Sequence, residues 1–341
     1  MALNINLDPL ALERLRAGQL GKFNTLATAV AVNAGIDPAA TFNDKTLNDL
    51  DTELFEAGLD RLLAINAADG YAIGSLGSAY VVAKSNFSAN GKKMRIIQRT
   101  SSSKTLSVTV KGDTATGNTV AINGSFCDIG YGTYGVATVT PVDPADVTPV
   151  GYVFKGGSNV GGGRTSPDGF FAQQGTTGAP TFGKGNATGG DGLGGLTPMI
   201  IKQPAPLNKV WRYGEKNVYA NLPSGADAPA TGDPGGYASY LTVRSSKQYA
   251  DQNKANLGKA MLGYHTTKDL LMVIVQENAP DSGGQKLDYY RDIFFNMGFE
   301  NVVGMDGSDS VLFFDYKTKQ LLVSPGSTKD NYLEIAVKLT N

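Results

Sequence analysis

The sequence predicts an α+β fold: a mixed β-sheet with packed helices, preceded by a helical N-terminal region and interrupted by long glycine-rich loops. Three observations carry this expectation. Residues 1–70 are rich in alanine and leucine at helical spacing. Short branched runs such as Leu270–Val275 recur further along the chain, as strands buried on both faces require. Between them, Leu287, Tyr290, Phe294 and Met297 repeat at the interval of an amphipathic helix.

Asp8-Pro9 opens one candidate helix, which runs to about Ala34 and ends at Gly35. A second spans Asn43 to about Ala68, with Leu47, Leu50, Leu54, Leu62 and Leu63 as its apolar stripe. The pattern then changes to strands at Tyr80–Ala83, Lys93–Gln98, Leu106–Val110 and Thr119–Ile122, separated by Asn-Gly and Lys-Gly-Asp turns. Gly156–Gly195 is dominated by Gly, Thr, Ser and Asn, a composition expected of long loops and not of a core layer. Pro223–Gly236 reads as a second such loop. Gly298 stands where the helix after Leu287 needs a left-handed C-cap, and Val302–Met305 is a further strand. The expected division is therefore a helical docking region, 1–70, and a domain, 71–341, with loop insertions at 156–195 and 223–236.

Val302–Met305 runs into Asp306-Gly307-Ser308-Asp309-Ser310, a polar loop at a strand's C-terminal end, where α/β units place ligands. Lys259-Ala260-Met261-Leu262-Gly263 and Met297-Gly298 lie upstream of it, and Asn123-Gly124-Ser125-Phe126 and Pro198-Met199-Ile200-Ile201 lie further back. In this order, and with Glu334–Leu339 as a closing strand, the motifs resemble those of the phosphodiester glycosidase family over roughly residues 80–341. That family carries Asn-Gly-x-Phe, a basic residue before Ala and Gly, and Asp-Gly-Gly-Gly-Ser. The chain departs from it in having Lys259 for the usual arginine and Ser308 and Asp309 for two glycines. Lysine lacks the planar fork with which arginine grips phosphate at two points.

The resemblance implies hydrolysis of a sugar phosphodiester. The departing phosphate is a good leaving group, so such a reaction needs charge stabilisation more than protonation. One carboxylate and a few cationic or amide donors suffice, whereas an ordinary glycosidase divides acid and base duties between two carboxylates. Asp306 is the leading carboxylate, followed by Asp309 and by Glu277, which ends the Leu270–Gln276 strand. Lys259 is the leading phosphate contact, with Arg164 second, and Asn123 and Ser310 could hydrogen-bond hydroxyls or phosphate oxygens. Each has a plain alternative. Asp306 and Asn123 both precede glycine and read equally well as turn residues. Lys259 also fits a solvated surface lysine, and His265, the one side chain expected to titrate near neutrality, is read as non-catalytic.

Composition narrows the remaining classes. A net charge of −1 over 341 residues argues against a nucleic-acid surface. A single cysteine, Cys127, excludes an internal disulfide framework, and a single histidine excludes multi-histidine zinc sites, so no metal or organic cofactor is implied. The N-terminus has neither a basic nor an apolar signal region, and no apolar run reaches membrane-spanning length. These features predict a cytoplasmic or virion-associated protein. Two readings stand: a hydrolase acting on or binding a sugar-phosphodiester glycan, and a bacteriophage virion component. The second follows from the Gly/Thr/Asn-rich loops, the few charges and the added helices, which resemble phage tail, baseplate or fibre proteins. On that reading residues 1–70 would contact other virion proteins or further copies of the chain.

Overall fold

The computed structural model describes residues 59, 71–76, 78–98, 106–114, 117–129, 147–149, 151–161, 170–175, 178–202, 210–212, 249, 252–280, 284–326 and 335–340. The expected helices within 1–70 lie outside these residues but for Leu59. That residue is helical, 3% exposed, and part of the main apolar core.

The described chain is mostly β. Its strands are β1 (Ala72–Leu76), β2 (Ala79–Lys84), β3 (Lys93–Gln98), β4 (Asn118–Asn123), β5 (Cys127–Ile129) and β6 (Val147–Pro149). Then come β7 (Val153–Lys155), β8 (Ser158–Gly161), β9 (Phe170–Gln174), β10 (Thr181–Lys184), β11 (Asp191–Lys202) and β12 (Val210–Arg212). The C-terminal set is β13 (Lys259–His265), β14 (Leu270–Gln276), β15 (Asn301–Gly304), β16 (Phe313–Asp315), β17 (Gln320–Val323) and β18 (Ile335–Thr340). Two helices can be delimited among the described residues, α1 (Leu106–Gly112) and α2 (Leu287–Asn296).

This corrects the predicted α+β class with its mixed sheet: the pairings described are antiparallel throughout. The physical reason is visible at the most strongly patterned segment. β13 and β14 are joined by the four-residue turn 266–269, so they form a hairpin, in register from Lys259↔Gln276 to His265↔Leu270. After α2 the chain enters β15, which pairs antiparallel with both β13 and β11. Strand–helix–strand spacing is thus present without a parallel crossover.

Eleven strands form the larger sheet, with the order β1-β2-β14-β13-β15-β11-β7-β8 and with β9, β10 and β12 joined through β11. A second sheet has the order β17-β16-β4-β18-β3. The two sheets pack face to face: Tyr80 of β2 lies 5.4 Å from Phe313 of β16, ring centre to ring centre. On the opposite face of the larger sheet α2 closes against Gly263, where a Cβ would stand 2.7 Å from the Phe294 ring. Gly298, at φ +87°, ends α2 as expected.

Two further expectations are overturned. Leu106–Val110 is helical, despite its branched residues. As α1 it buries Ser107 and Val110, three positions apart, and Val110 packs with Ala121 and Phe314 on the outer face of the second sheet. Tertiary packing here outweighs β propensity. The glycine-rich stretch 156–195 contains β8, β9, β10 and the start of β11, with Phe170, Ala172 and Leu193 in the core. Its glycines serve close packing: a Cβ on Gly192 would lie 2.6 Å from that of Gln173, and one on Gly151 would lie 2.3 Å from the Gly194 backbone. Gly195, at φ +70°, falls where the register of β11 against β9 shifts, between Leu193 and Leu196; β11 pairs with β7 before that point and with β15 and β12 after it. The segment 223–236 lies outside the described residues.

Candidate functional site

Three motifs far apart in sequence meet where β15 runs out between the two sheets. The Asn123 side chain, at the end of β4, donates through Nδ2 to the main-chain oxygen of Asp306 at 2.6 Å, and its Oδ1 accepts from the Leu312 amide at 3.1 Å. The Asp306 amide donates to the oxygen of Gly124 at 3.0 Å. From the β13 side, the Met305 amide donates to Ala260 and the Ser308 amide to Gly258, both at 2.8 Å. The loop is therefore sutured to both sheets through its backbone.

These bonds leave the Asp306 carboxylate half-buried, with Oδ1 accepting from the Gly307 amide at 2.9 Å. Residues Ser308–Ser310 form one 3-10 turn, in which Ser308 has φ +58° and Ser310 is buried. Asp309 is half-buried, and its main-chain oxygen accepts from Gly326 at 2.8 Å. Gly307 admits no side chain, because a Cβ would stand 2.7 Å from the Gly258 oxygen. A narrow polar loop carrying two carboxylates thus sits on a rigid base.

The other predicted residues fall differently. Asn123 is 0% exposed, and both ends of its amide are engaged by the protein itself, so it holds the loop. Lys259 is 1% exposed, not a solvated surface lysine. Its ammonium donates to the oxygens of Lys254 at 2.6 Å and Leu257 at 2.7 Å, and burial lowers its pKa to about 8. Its cross-strand partner Gln276 does the same work, donating to Ala255 and Leu257 while accepting from Tyr290 and the Gln285 amide. Together they fix the turn that delivers Gly258 to the loop. Glu277 is exposed, one residue past β14. Arg164 lies outside the described residues, and Cys127 is described in backbone only. His265, at the end of β13, is packed edge-on to Phe299, and burial lowers its pKa.

Sequence reasoning missed the amides that build this region, Gln252 and Gln276. No pattern marks a glutamine that reaches a carbonyl across a fold. Asp191, in the glycine-rich stretch, clamps β3: its carboxylate accepts from Arg95 at 2.8 Å and from the Ile96 amide at 3.1 Å. Among the described residues no group of three or more His, Cys, Asp and Glu could hold a metal, and no helix is long and apolar enough to cross a membrane.

No protein-family profile and no curated protein matches the chain. Among solved structures it is distantly similar to the catalytic domain of zebrafish N-acetylglucosamine-1-phosphodiester alpha-N-acetylglucosaminidase, auto-inhibited by its pro-peptide. That match has 10% identity and a TM-score of 0.45, covering 79% of this chain and 77% of that one. A putative exported protein from Burkholderia pseudomallei matches at 11% identity and a TM-score of 0.45, covering 87% and 82%. A hypothetical protein from Synechocystis matches at 13% identity and a TM-score of 0.44; 80% of this chain is covered, and it spans 62% of that one's length. The similarity is one of fold, at a distance. None of these names bears on the virion reading.

Proposed function

We propose that the Asp306 loop is the substrate site of a phosphodiester-glycosidase-like protein that hydrolyses sugar phosphodiesters. The observation that carries the reading is the 2.6 Å bond from Asn123 to the Asp306 backbone. It joins two of the motifs on which the family resemblance rests, and the bond from Ser308 to Gly258 adds the neighbourhood of the third. In this reading Asp306 activates water or stabilises the developing oxocarbenium ion, with Asp309 as the second carboxylate and Glu277 at the rim. Ser310 supplies a donor to the phosphate, with Arg164 as a cation, while Lys259, its ammonium bound to Lys254 and Leu257, fixes the turn beneath the loop. Asn123 contributes by fixing the loop. No cofactor enters the reaction.

The test is release of free sugar from a methyl diester of N-acetylglucosamine 1-phosphate. Asp306→Asn preserves the acceptor for the Gly307 amide, so it should lower turnover more than a hundredfold while shifting the melting temperature by only a few degrees. A variant that is strongly destabilised, from a wild-type protein with no turnover to lose, would make Asp306 a turn residue and end the proposal.

A further inference from the structure

One buried side chain outside the motifs reaches the same loop. Gln252 donates through Nε2 to the main-chain oxygen of Met305 at 3.0 Å. The Met305 amide is already bound to Ala260, so the peptide units flanking Met305 are held from two sides. Those flanking Asp306 are held in the same way, by Gly124 and Asn123. Gln252 also lies along the backbone it holds. A Cβ on Gly304 would be 3.5 Å from its Oε1, and one on Gly307 would be 3.0 Å from its Nε2.

The segment bearing Gln252 is itself anchored, through Tyr249 and Asn253, to the first turns of α2. Asn253 Nδ2 donates to Asp288 at 2.7 Å, and Asn253 Oδ1 accepts the Asp288 amide at 3.0 Å. This gives α2 a cap from a distant residue, since Lys286 at its N-cap position makes no side-chain capping bond. Tyr249 donates to Asp288 at 2.6 Å, and Arg291 donates to Asp288 at 2.6 Å and to the Tyr249 hydroxyl at 3.2 Å. A rigid, largely buried polar network thus ends in one amide aimed at the residue before Asp306.

We infer that Gln252 is a positioning residue for Asp306, setting the direction of its carboxylate through the Met305 peptide. This rests on the reading of Asp306 as the site carboxylate. The mechanism is local: the Met305 carbonyl and the Asp306 amide share one peptide plane, held by Gln252 at one end and by Gly124 at the other, so loss of the Nε2 donor leaves that plane on the Gly124 bond and lets it tilt, turning the Asp306 carboxylate with it.

The test pairs an NMR readout of the loop with the hydrolysis assay, using the full chain. In Gln252→Leu, amide exchange at Asp306 and Gly307 should quicken at least tenfold, with exchange at Met261 in β13 unchanged. On the diester, kcat should fall about tenfold or more, with KM within twofold. Gln252→Glu guards against a variant that fails to fold. Its protonated carboxyl can donate to Met305, so the Asp306 and Gly307 amide shifts should approach wild-type positions as pH falls through the glutamate titration and depart from them above it. Unchanged loop exchange in the leucine variant, or loop shifts indifferent to the glutamate titration, would overturn the inference. A loop that loosens as described in a protein with no hydrolysis would support Gln252 as the loop's anchor and place the failure in the hydrolase reading.

Discussion

Asn123 and Asp306, 183 residues apart, are joined by a 2.6 Å hydrogen bond from a side-chain amide to a main-chain oxygen. Since the same amide accepts from Leu312, one buried side chain ties both ends of the Asp306 loop to β4. Truncation to alanine would leave a buried carbonyl and a buried amide unpaired, each costing on the order of 1–3 kcal/mol. Asn123→Ala is therefore expected to lose about 2–5 kcal/mol of unfolding free energy, measured by denaturant titration. A loss below about 0.5 kcal/mol would mean that water replaces the amide.

The strands at 80–83, 93–98, 270–276 and 302–304 and the helix ended by Gly298 were legible because each is long or periodic enough to declare its type. Pairing direction was not. Nothing in Leu270–Val275 distinguishes a parallel neighbour from the hairpin partner supplied by 259–265, and the intervening helix argues for the wrong one. The strands inside 156–195 were illegible for a different reason. Glycine there signals flexibility by composition, whereas the fold uses its lack of a side chain. The backbones of Gly151 and Gly194 approach so closely that no other residue fits. At the site, the Asp306 loop and Asn123 could be read from their motifs. Gln252 and the inward-turned ammonium of Lys259 could not, because their partners are main-chain oxygens, which leave no trace in sequence.

The close approach gives a direct test. Gly151→Ala places a methyl group 2.3 Å from the Gly194 carbonyl carbon and the Gly195 nitrogen, and rigid backbone can yield only by shifting a strand. A loss of roughly 1–3 kcal/mol or more is expected from such overpacking. Gly189→Ala, with nothing within 4 Å of the new methyl, is the control from the stretch that holds Gly194 and should change stability by less than about 0.5 kcal/mol. Equal effects at the two sites would refute the packing role assigned to these glycines.

Leu59 addresses the division of the chain. It is buried in the core formed by the larger sheet, so Leu59→Ala should cost about 2–5 kcal/mol, as large-to-small changes in cores do. A fragment of residues 71–341 loses the same contact. It should still unfold cooperatively, at a lower denaturant midpoint than the full chain. A fragment with no cooperative transition would show that residues 1–70 belong to the main core and are not an appended docking region.

Burial lowers the pKa of Lys84, Lys92 and Lys259, and of these Lys84 and Lys259 dominate the pH dependence of stability. Lys84 is 0% exposed, donates to Thr119 at 2.6 Å, lies 5.4 Å above the Tyr71 ring, and has its pKa lowered to about 7 by burial and then by the charge of Lys92. Lys259 is lowered to about 8 by burial. In the unfolded chain both titrate at the ordinary lysine value of about 10.4. Between the folded and unfolded values the unfolded state binds more protons, so unfolding free energy rises with pH. The rise should begin near pH 7 from Lys84 and steepen above pH 8 as Lys259 joins, approaching about 1.4 kcal/mol per pH unit for each lysine. It should end near pH 10, where Tyr249, Tyr290 and Tyr316 act in the opposite sense. Burial raises their pKa values, so the unfolded chain loses those protons first and is favoured by alkali. Denaturation measured from pH 6 to 11 should therefore place the stability maximum on the alkaline side, between about pH 9 and 10.5. Lys84→Met should flatten the segment between pH 7 and 8 while leaving the fall above pH 10 in place. A wild-type profile flat from pH 7 to 9 would mean that both ammonium groups keep their charge inside the fold, balanced by the carbonyl and hydroxyl oxygens around them.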